Sequence, residues 1–383
     1  MPRVSIEGFV GPANAQQSRT LDVERTDNLY IAPAAPGVSP KGPGALACRP
    51  AMVPWTVFPD SPIRGLFAMN GRLWAVGGTT YAEIMSDGTF GTGHPVATDN
   101  RPVSIITNGT FKSGGKQNLI VSANKGYVDA LDTDAFVQIT DPNWPTIVHQ
   151  AEYMDGYGLV GVGNASIRFQ WSKLFDFTSW PALNFAERST AMDSIGALIR
   201  LQRTLLVFGT DTMEPWYDVG QGNTVFAPTG SVLVEQGISM TFTMLRADNT
   251  VYWVGTNADG HRLVYRLDGM TPRRVSTFAV EQALQRWDVV QQFYTYAIVF
   301  QLEGHSYYAL ICPTDTDGSF VYDITLDRWY QWGHWDPTAG IFRPWRAMGH
   351  AIAFERCLVG DYKSGTIFEL RTDTYADTLP GGV

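Results

Sequence analysis

Six histidines (His94, His149, His261, His305, His334 and His350) and three cysteines (Cys48, Cys312 and Cys357) are the side chains best suited to holding a transition metal. Zinc needs several such ligands at close spacing, as in HExxH or paired CxxC. The histidines form no close pair and the cysteines no CxxC, so no metal site is expected, and the histidines read as ordinary surface or core residues. Cysteines so far apart supply no disulfide framework either, and are expected to be free thiols of a chain made in a reducing cytoplasm. Asp315-Thr-Asp317-Gly318 alternates carboxylates as a calcium loop does, but the later glutamate is missing, which favours a plain β-turn.

Glycoside cleavage requires two carboxyl groups facing one sugar bond across about 5–10 Å. The candidates Glu152, Asp155, Asp176, Glu187 and Glu214 are no more clustered than chance spacing gives. The turns at 86–90 (SDGTF) and 317–320 (DGSF) look superficially like the Asp-boxes of sialidases, but lack the residue between Asp and Gly and the closing Trp. There is no GxSxG elbow, GxxxxGK[ST] loop or GxGxxG fingerprint. No catalytic, cofactor-binding or metal site is therefore expected, and the chain reads as a non-enzyme. The aromatics Trp329, Tyr330, Trp332, Trp335 and Trp345 admit two readings, a recognition patch or burial between packed sheets.

The elements that carry these residues repeat. Short apolar runs recur as LWAVG (ending at Gly77), LIVSA (Ala123), LVGVG (Gly163), LLVFG (Gly209), VYWVG (Gly255), AIVFQ (Gln301) and CLVG (Gly360), with gaps of 46, 40, 46, 46, 46 and 59 residues. Most follow a turn pair such as Asn70-Gly71, Gly114-Gly115, Asp155-Gly156 or Asp248-Asn249, suited to positive φ, and each precedes another strand such as TYAEI at 80–84. A unit of about 40–46 residues with three or four strands is a propeller blade. The prediction is an all-β protein, a β-propeller of six or seven blades over 61–372. The long final gap reads as an insertion. Residues 1–60, rich in Pro and Gly around 32–44, read as an extended arm that could lend a strand to ring closure, and 373–383 as a polar tail. One segment, 277–287, places Val280, Ala283, Leu284 and Trp287 at helical spacing and predicts one short amphipathic helix.

The net charge is −9, and Lys and Arg are scattered, which disfavours a protein that grips phosphate backbones. The N-terminus lacks the charged start and apolar core of a signal peptide. No apolar run reaches the ~18 residues of a membrane span. The sequons at Asn108-Gly-Thr110 and Asn164-Ala-Ser166 then read as accidental.

Four blocks in fixed order carry a resemblance: 175–187 (FDFTSWPALNFAE), 193–197 (DSIGA), 205–220 (LLVFGTDTMEPWYDVG) and 234–238 (VEQGI). A second region runs through 251–255 (VYWVG) and 264–277 (VYRLDGMTPRRVST) into the helix. The chain resembles the packaged-DNA stabilisation proteins of short-tailed bacteriophages, also called tail accessory or nozzle proteins. The resemblance implies a virion tail component made in the host cytoplasm, a homo-oligomeric ring, most simply a hexamer. It implies portal-side adaptors and a distal needle, fibre or spike as partners, with double-stranded DNA passing through unbound. Family members generally continue past a segment like SGTIFEL (364–370), so the resemblance implies either a short homologue or a cut sequence. The competing expectations are a glycan-binding or glycan-cleaving propeller and a kelch-like interaction module.

Overall fold

The apolar runs of the repeat are strands with side chains buried on both faces. Gln117–Ser122 is buried at every position and Thr204–Gly209 at all but the first. Such a strand survives only where a neighbouring sheet covers each face. The computed structural model describes residues 14–15, 23–24, 27–33, 44–108, 116–163, 165–221, 224–230, 233–257 and 259–380. In it the chain is a seven-bladed β-propeller of antiparallel sheets. Blades 1 to 6 occupy 63–95, 104–138, 151–187, 195–228, 245–274 and 296–344, and blade 7 combines 347–371 with 51–57. In six of the seven neighbouring pairs of blades the first strands pack against one another around the axis. The outer strands Ala135–Gln138 and Thr271–Arg274 are largely exposed. Seven apolar clusters form the core, and each lies between two successive blades.

Five of the hairpins joining first to second strands, in blades 1, 3, 5, 6 and 7, use two-residue turns with both φ values positive. Asn70 and Gly71 stand at 51° and 76°, Asp248 and Asn249 at 44° and 61°, Phe354 and Glu355 at 52° and 61°. Such turns match the strand twist, which is why Asn, Asp and Gly fill most of them. The Gly114-Gly115 turn lies outside the described residues, as do Thr110 and Asn164 of the two sequons, most of 1–26, 34–43 and 381–383.

Ring closure is made by strand Ala51–Val57, which pairs antiparallel with Thr366–Arg371 and sets Met52 opposite Leu370. The start of the ring is thereby fastened to its end, and the last blade is left with a full fourth strand. Pro54 is tolerated because that strand is the outermost of its sheet. A second fastening holds the termini. The buried Arg49 guanidinium donates to Asp377 (3.0 Å), Gly333 O (2.9 Å) and Asn28 Oδ1 (2.8 Å), while Thr378 N donates to Met52 O at 3.0 Å.

Two expectations need correction. AIVFQ is the first strand of blade 6 (Tyr296–Leu302), and the second is His305–Ile311, which is buried throughout. Both strands are apolar, so the pattern alone does not separate them. Residues 315–345 are therefore no insertion but the remaining strands of a five-stranded blade. Strand Arg328–Asp336 pairs with Ser319–Asp323 through Trp332 and then with Ile341–Pro344, which extends the blade as a hairpin. A Cβ on Gly333 would lie 2.1 Å from Arg343 O, so glycine is required where the strand changes partners.

The added residues lie before blade 6 and form two helices where one was predicted. Helix α1, Phe278–Arg286, buries Val280, Ala283 and Leu284 against blades 5 and 6. Helix α2, Val289–Tyr294, opens on a reciprocal capping box in which Asp288 accepts from Gln291 N (2.7 Å) and Gln291 Oε1 accepts from Asp288 N (3.0 Å).

Arg346 and the fully buried Asp361 form an ion pair between the entry to blade 7 and the end of its second strand. Asp361 also accepts from Lys363 N (2.9 Å) and Ser364 Oγ (2.6 Å). Asp361→Ala leaves a buried guanidinium without its counter-charge and is expected to cost about 3–5 kcal/mol, read from chemical denaturation. Glu355 occupies a left-handed turn position without a glycine or asparagine, so Glu355→Asn is expected to stabilise by about 0.5–1 kcal/mol in the same assay.

Candidate functional site

The axis of the ring is where first strands converge and where a propeller most readily builds a site. Here the axial space is a cavity of about 230 Å³ lined by Gly65, Ile105, Gln150, Leu245, Ala297 and Met348 from six blades or their approaches. Phe242, on the short 3-10 turn Thr241–Thr243, lines it as well. At its mouth the Arg101 guanidinium lies 4.3 Å from the Phe293 ring centre and 5.8 Å from that of Phe242. Asp99 accepts from Arg101 Nε at 2.7 Å, and His149 Nδ1 is 3.2 Å away. Burial and the Arg101 charge hold His149 below the ordinary histidine range. Beneath lies fully buried Arg64, donating to the carbonyls of Arg101 (3.0 Å), Gly78 (2.9 Å) and Ala97 (3.2 Å) and to Ser122 Oγ (2.9 Å). These contacts tie blades 1 and 2 together and close the axis with cation–π packing.

Four of the five carboxylates weighed as acid or base have internal donors. Glu152 accepts from Tyr153 N (2.9 Å) and Arg200 N (3.0 Å). Glu214 accepts from Thr190 N (3.2 Å), Ala191 N (3.1 Å) and Trp216 Nε1 (3.3 Å). Asp176 closes a turn on Thr178, Glu187 pairs with Arg168 at 2.7 Å, and Asp155 is an exposed turn residue at φ 48°. Asp87 closes its own turn on Thr89. Asp315 accepts from Trp287 Nε1 at 2.7 Å and Asp317 from Arg286 at 2.9 Å, which spends the calcium-like loop on holding α1. No group of three or more His, Cys, Asp or Glu side chains able to hold a metal occurs among the described residues.

The histidines are dispersed. His305 bonds Asp323 at 2.7 Å and stacks on Tyr307; His334 Nδ1 donates to Pro344 O at 2.8 Å; His94 stacks on Phe136; and His261 is exposed. His350 Nε2 is 3.4 Å from Cys357 Sγ, and burial pushes that thiol up to about 11. All three cysteines are free, with Cys312 buried and Cys48 exposed. Of the five aromatics in two readings, Trp329, Tyr330, Trp332 and Trp345 are buried in the interfaces of blade 6, and only Trp335, on the projecting hairpin, is exposed.

The basic residues near one another are also committed. Arg262 donates to Trp287 O (2.9 Å) and Gln285 O (3.3 Å), covering the C-terminus of α1. Arg266 faces Asp268 at 3.5 Å, Arg273 faces Asp327 at 3.9 Å, and Arg274 bonds Glu281 at 2.6 Å.

The fold and these contacts define a seven-bladed β-propeller most of whose candidate chemical groups are engaged within the chain. The chain belongs to a bacteriophage family: the model described as bacteriophage P22 Gp10, β-propeller, matches residues 60–375. No curated protein matches the chain by sequence. Among solved structures, the extracellular domain of a hybrid two-component system of B. thetaiotaomicron, BT4673, aligns with a TM-score of 0.53 at 10% identity, covering 84% of this chain and 40% of that one. A second such domain, BT3049, gives 0.51 at 8% identity over 82% and 40%. The chain thus spans 40% of the length of these structures, and the likeness is one of fold. The Neurospora crassa Pan2 WD40 domain aligns at 0.49 with 9% identity over 84% and 96%. No helix among the described residues is long and apolar enough to cross a membrane.

Burial holds His350 down to about 4 against an ordinary 6.5. The folded state therefore resists a proton that the unfolded chain accepts. This part of the stability is whole above pH 6.5 and is lost as pH falls through that value toward 4, by about 3 kcal/mol at pH 4. The expected outcome is a wild-type decline over this window that is reduced by that amount in His350→Leu, measured by denaturant titration at each pH.

Proposed function

We propose that this chain is a non-enzymatic structural component of a short phage tail, a nozzle or tail hub protein. In this reading copies assemble into a closed ring, most simply a hexamer, that joins portal-side adaptor proteins to a distal needle, fibre or spike. The ring retains packaged DNA and forms part of its ejection path. The observation that carries the proposal is the family match across 60–375, which spans nearly the whole propeller. Closed cyclic symmetry is the common solution for homo-oligomers and suits a tail built around an axis.

Electrostatics supports passage without capture. The chain carries a net charge of −9, and Arg262, Arg266, Arg273 and Arg274 face partners within their own chain. Each phosphate held by a free Lys or Arg would add salt-dependent affinity, and several together would trap the cargo. The axial cavity of the single propeller, about 230 Å³, is far too small to admit a duplex, so in this reading the path for DNA is the central opening that the copies enclose. Retention then comes from constriction by the ring and its partners. No cofactor and no membrane contact enter this account.

The expected result in native mass measurement of purified tails or assembled protein is a closed ring, with a hexamer as the leading mass. Cryo-EM of intact particles should place it between portal and distal tail. A monomer at high concentration that is also absent from particles counts against the proposal. The isolated ring should bind duplex DNA weakly at low salt, and tight binding would remove the passive-channel part.

A further inference from the structure

Beside the axial mouth, between blades 6, 7 and 1, lies an open pocket of about 390 Å³ that the arguments above do not use. Its walls are Pro62, Ile63, Tyr294, Tyr296, Pro313 and Met348, apolar or aromatic faces on rigid elements. Tyr362 and Lys363, from the turn after the second strand of blade 7, complete one side. Tyr296 is fixed by donating to Ala347 O at 2.8 Å, and Tyr294 ends α2. The floor is therefore preformed, as small-ligand and side-chain pockets generally are.

Among the described residues, Lys363 is the one charged residue in its lining. Lys363 is exposed, its ammonium lies 5.8 Å from the Tyr362 ring centre, and it has no ion pair among the described residues. The nearby cations Arg346 and Arg343 each have a carboxylate, Asp361 and Asp336. Burial first, and then these two guanidinium groups, lower the Lys363 pKa, while Asp336 and Asp361 act in the opposite sense, which leaves Lys363 as the cation without a carboxylate of its own. In a chain of net charge −9 this is a site where an anion is welcome. The same helix that supplies Tyr294 leaves Val290 59% and Phe293 48% exposed, so apolar surface continues beyond the pocket rim. That continuity calls for an occupant larger than the pocket.

We propose that this pocket binds a linear segment of a partner protein in which an apolar or aromatic side chain is followed by a carboxylate. The side chain fills the space between Tyr294, Pro313 and Met348, and the carboxylate meets Lys363. Anchoring one apolar side chain in a preformed pocket beside a single charge contact is how hot spots combine affinity with register. The proposal does not depend on the role of the chain in a virion.

The test uses the full chain and fluorescein-labelled peptides with Gly/Ser flanks around Phe-Asp, Phe-Asn or Ala-Asp, read by anisotropy at low salt. The Phe-Asp peptide is expected to bind at least about fivefold tighter than Phe-Asn and about tenfold tighter than Ala-Asp. Lys363→Gln, at an exposed position, should abolish the difference between Phe-Asp and Phe-Asn while leaving thermal stability unchanged. Tyr294→Ala should weaken both Phe peptides alike. Equal binding of all three peptides, or a Phe-Asp preference that survives Lys363→Gln, overturns the proposal. N-acetylphenylalanine binding as tightly as the Phe-Asp peptide also overturns it, by making the site one for a small molecule.

Discussion

Each blade of this protein has apolar side chains on both faces, and everything else in the structure follows from the need to cover both. A lone four-stranded sheet of this composition would leave one face in water, at about 25 cal/mol for each Å² of apolar surface. Seven sheets stacked around an axis cover every face once, provided the seventh meets the first. The core is accordingly a ring of seven interfaces, with clusters such as Trp74, Val76, Tyr81 and Ile120 between blades 1 and 2, or Phe208, Trp253 and Tyr265 between blades 4 and 5.

Closure makes the ends of the chain interdependent. Strand 51–57 is useful only when Thr366–Arg371 is folded beside it, and Arg49 is satisfied only when Asp377 and Gly333 are in place. The Arg346–Asp361 pair lies in the same quarter of the ring. Blades 6 and 7 thus carry both fastenings. The extra hairpin and both helices also border blade 6, so departures from the repeat gather on one side of the molecule.

The same closure uses up the chemistry. Carboxylates such as Glu152, Glu214 and Asp315 bond backbone or indole N–H groups that would otherwise be buried without partners. Arg262 covers a helix end and Arg64 bridges blades. Against this background an exposed Lys363 beside an apolar pocket stands apart, since its charge is the one there that internal packing leaves unanswered.

The sequence by itself determined the repeat, the β class, the hairpin turns and the buried face of α1, because each depends on residues near one another in the chain. Asn70-Gly71 specifies its turn locally, and Val280, Ala283 and Leu284 mark their stripe by spacing alone. Helix α2 was not read from the sequence, because its six residues are too few for a periodic pattern; the Asp288 to Gln291 capping box is the local signal that marks it. Only the tertiary structure decided that the blades number seven and which apolar run is the first strand of blade 6. It also decided that four of five clustered aromatics are buried while Trp335 is not. Those outcomes depend on which sheet meets which face across the ring, and partners such as Met52 and Leu370 are more than 300 residues apart, beyond the reach of any local pattern.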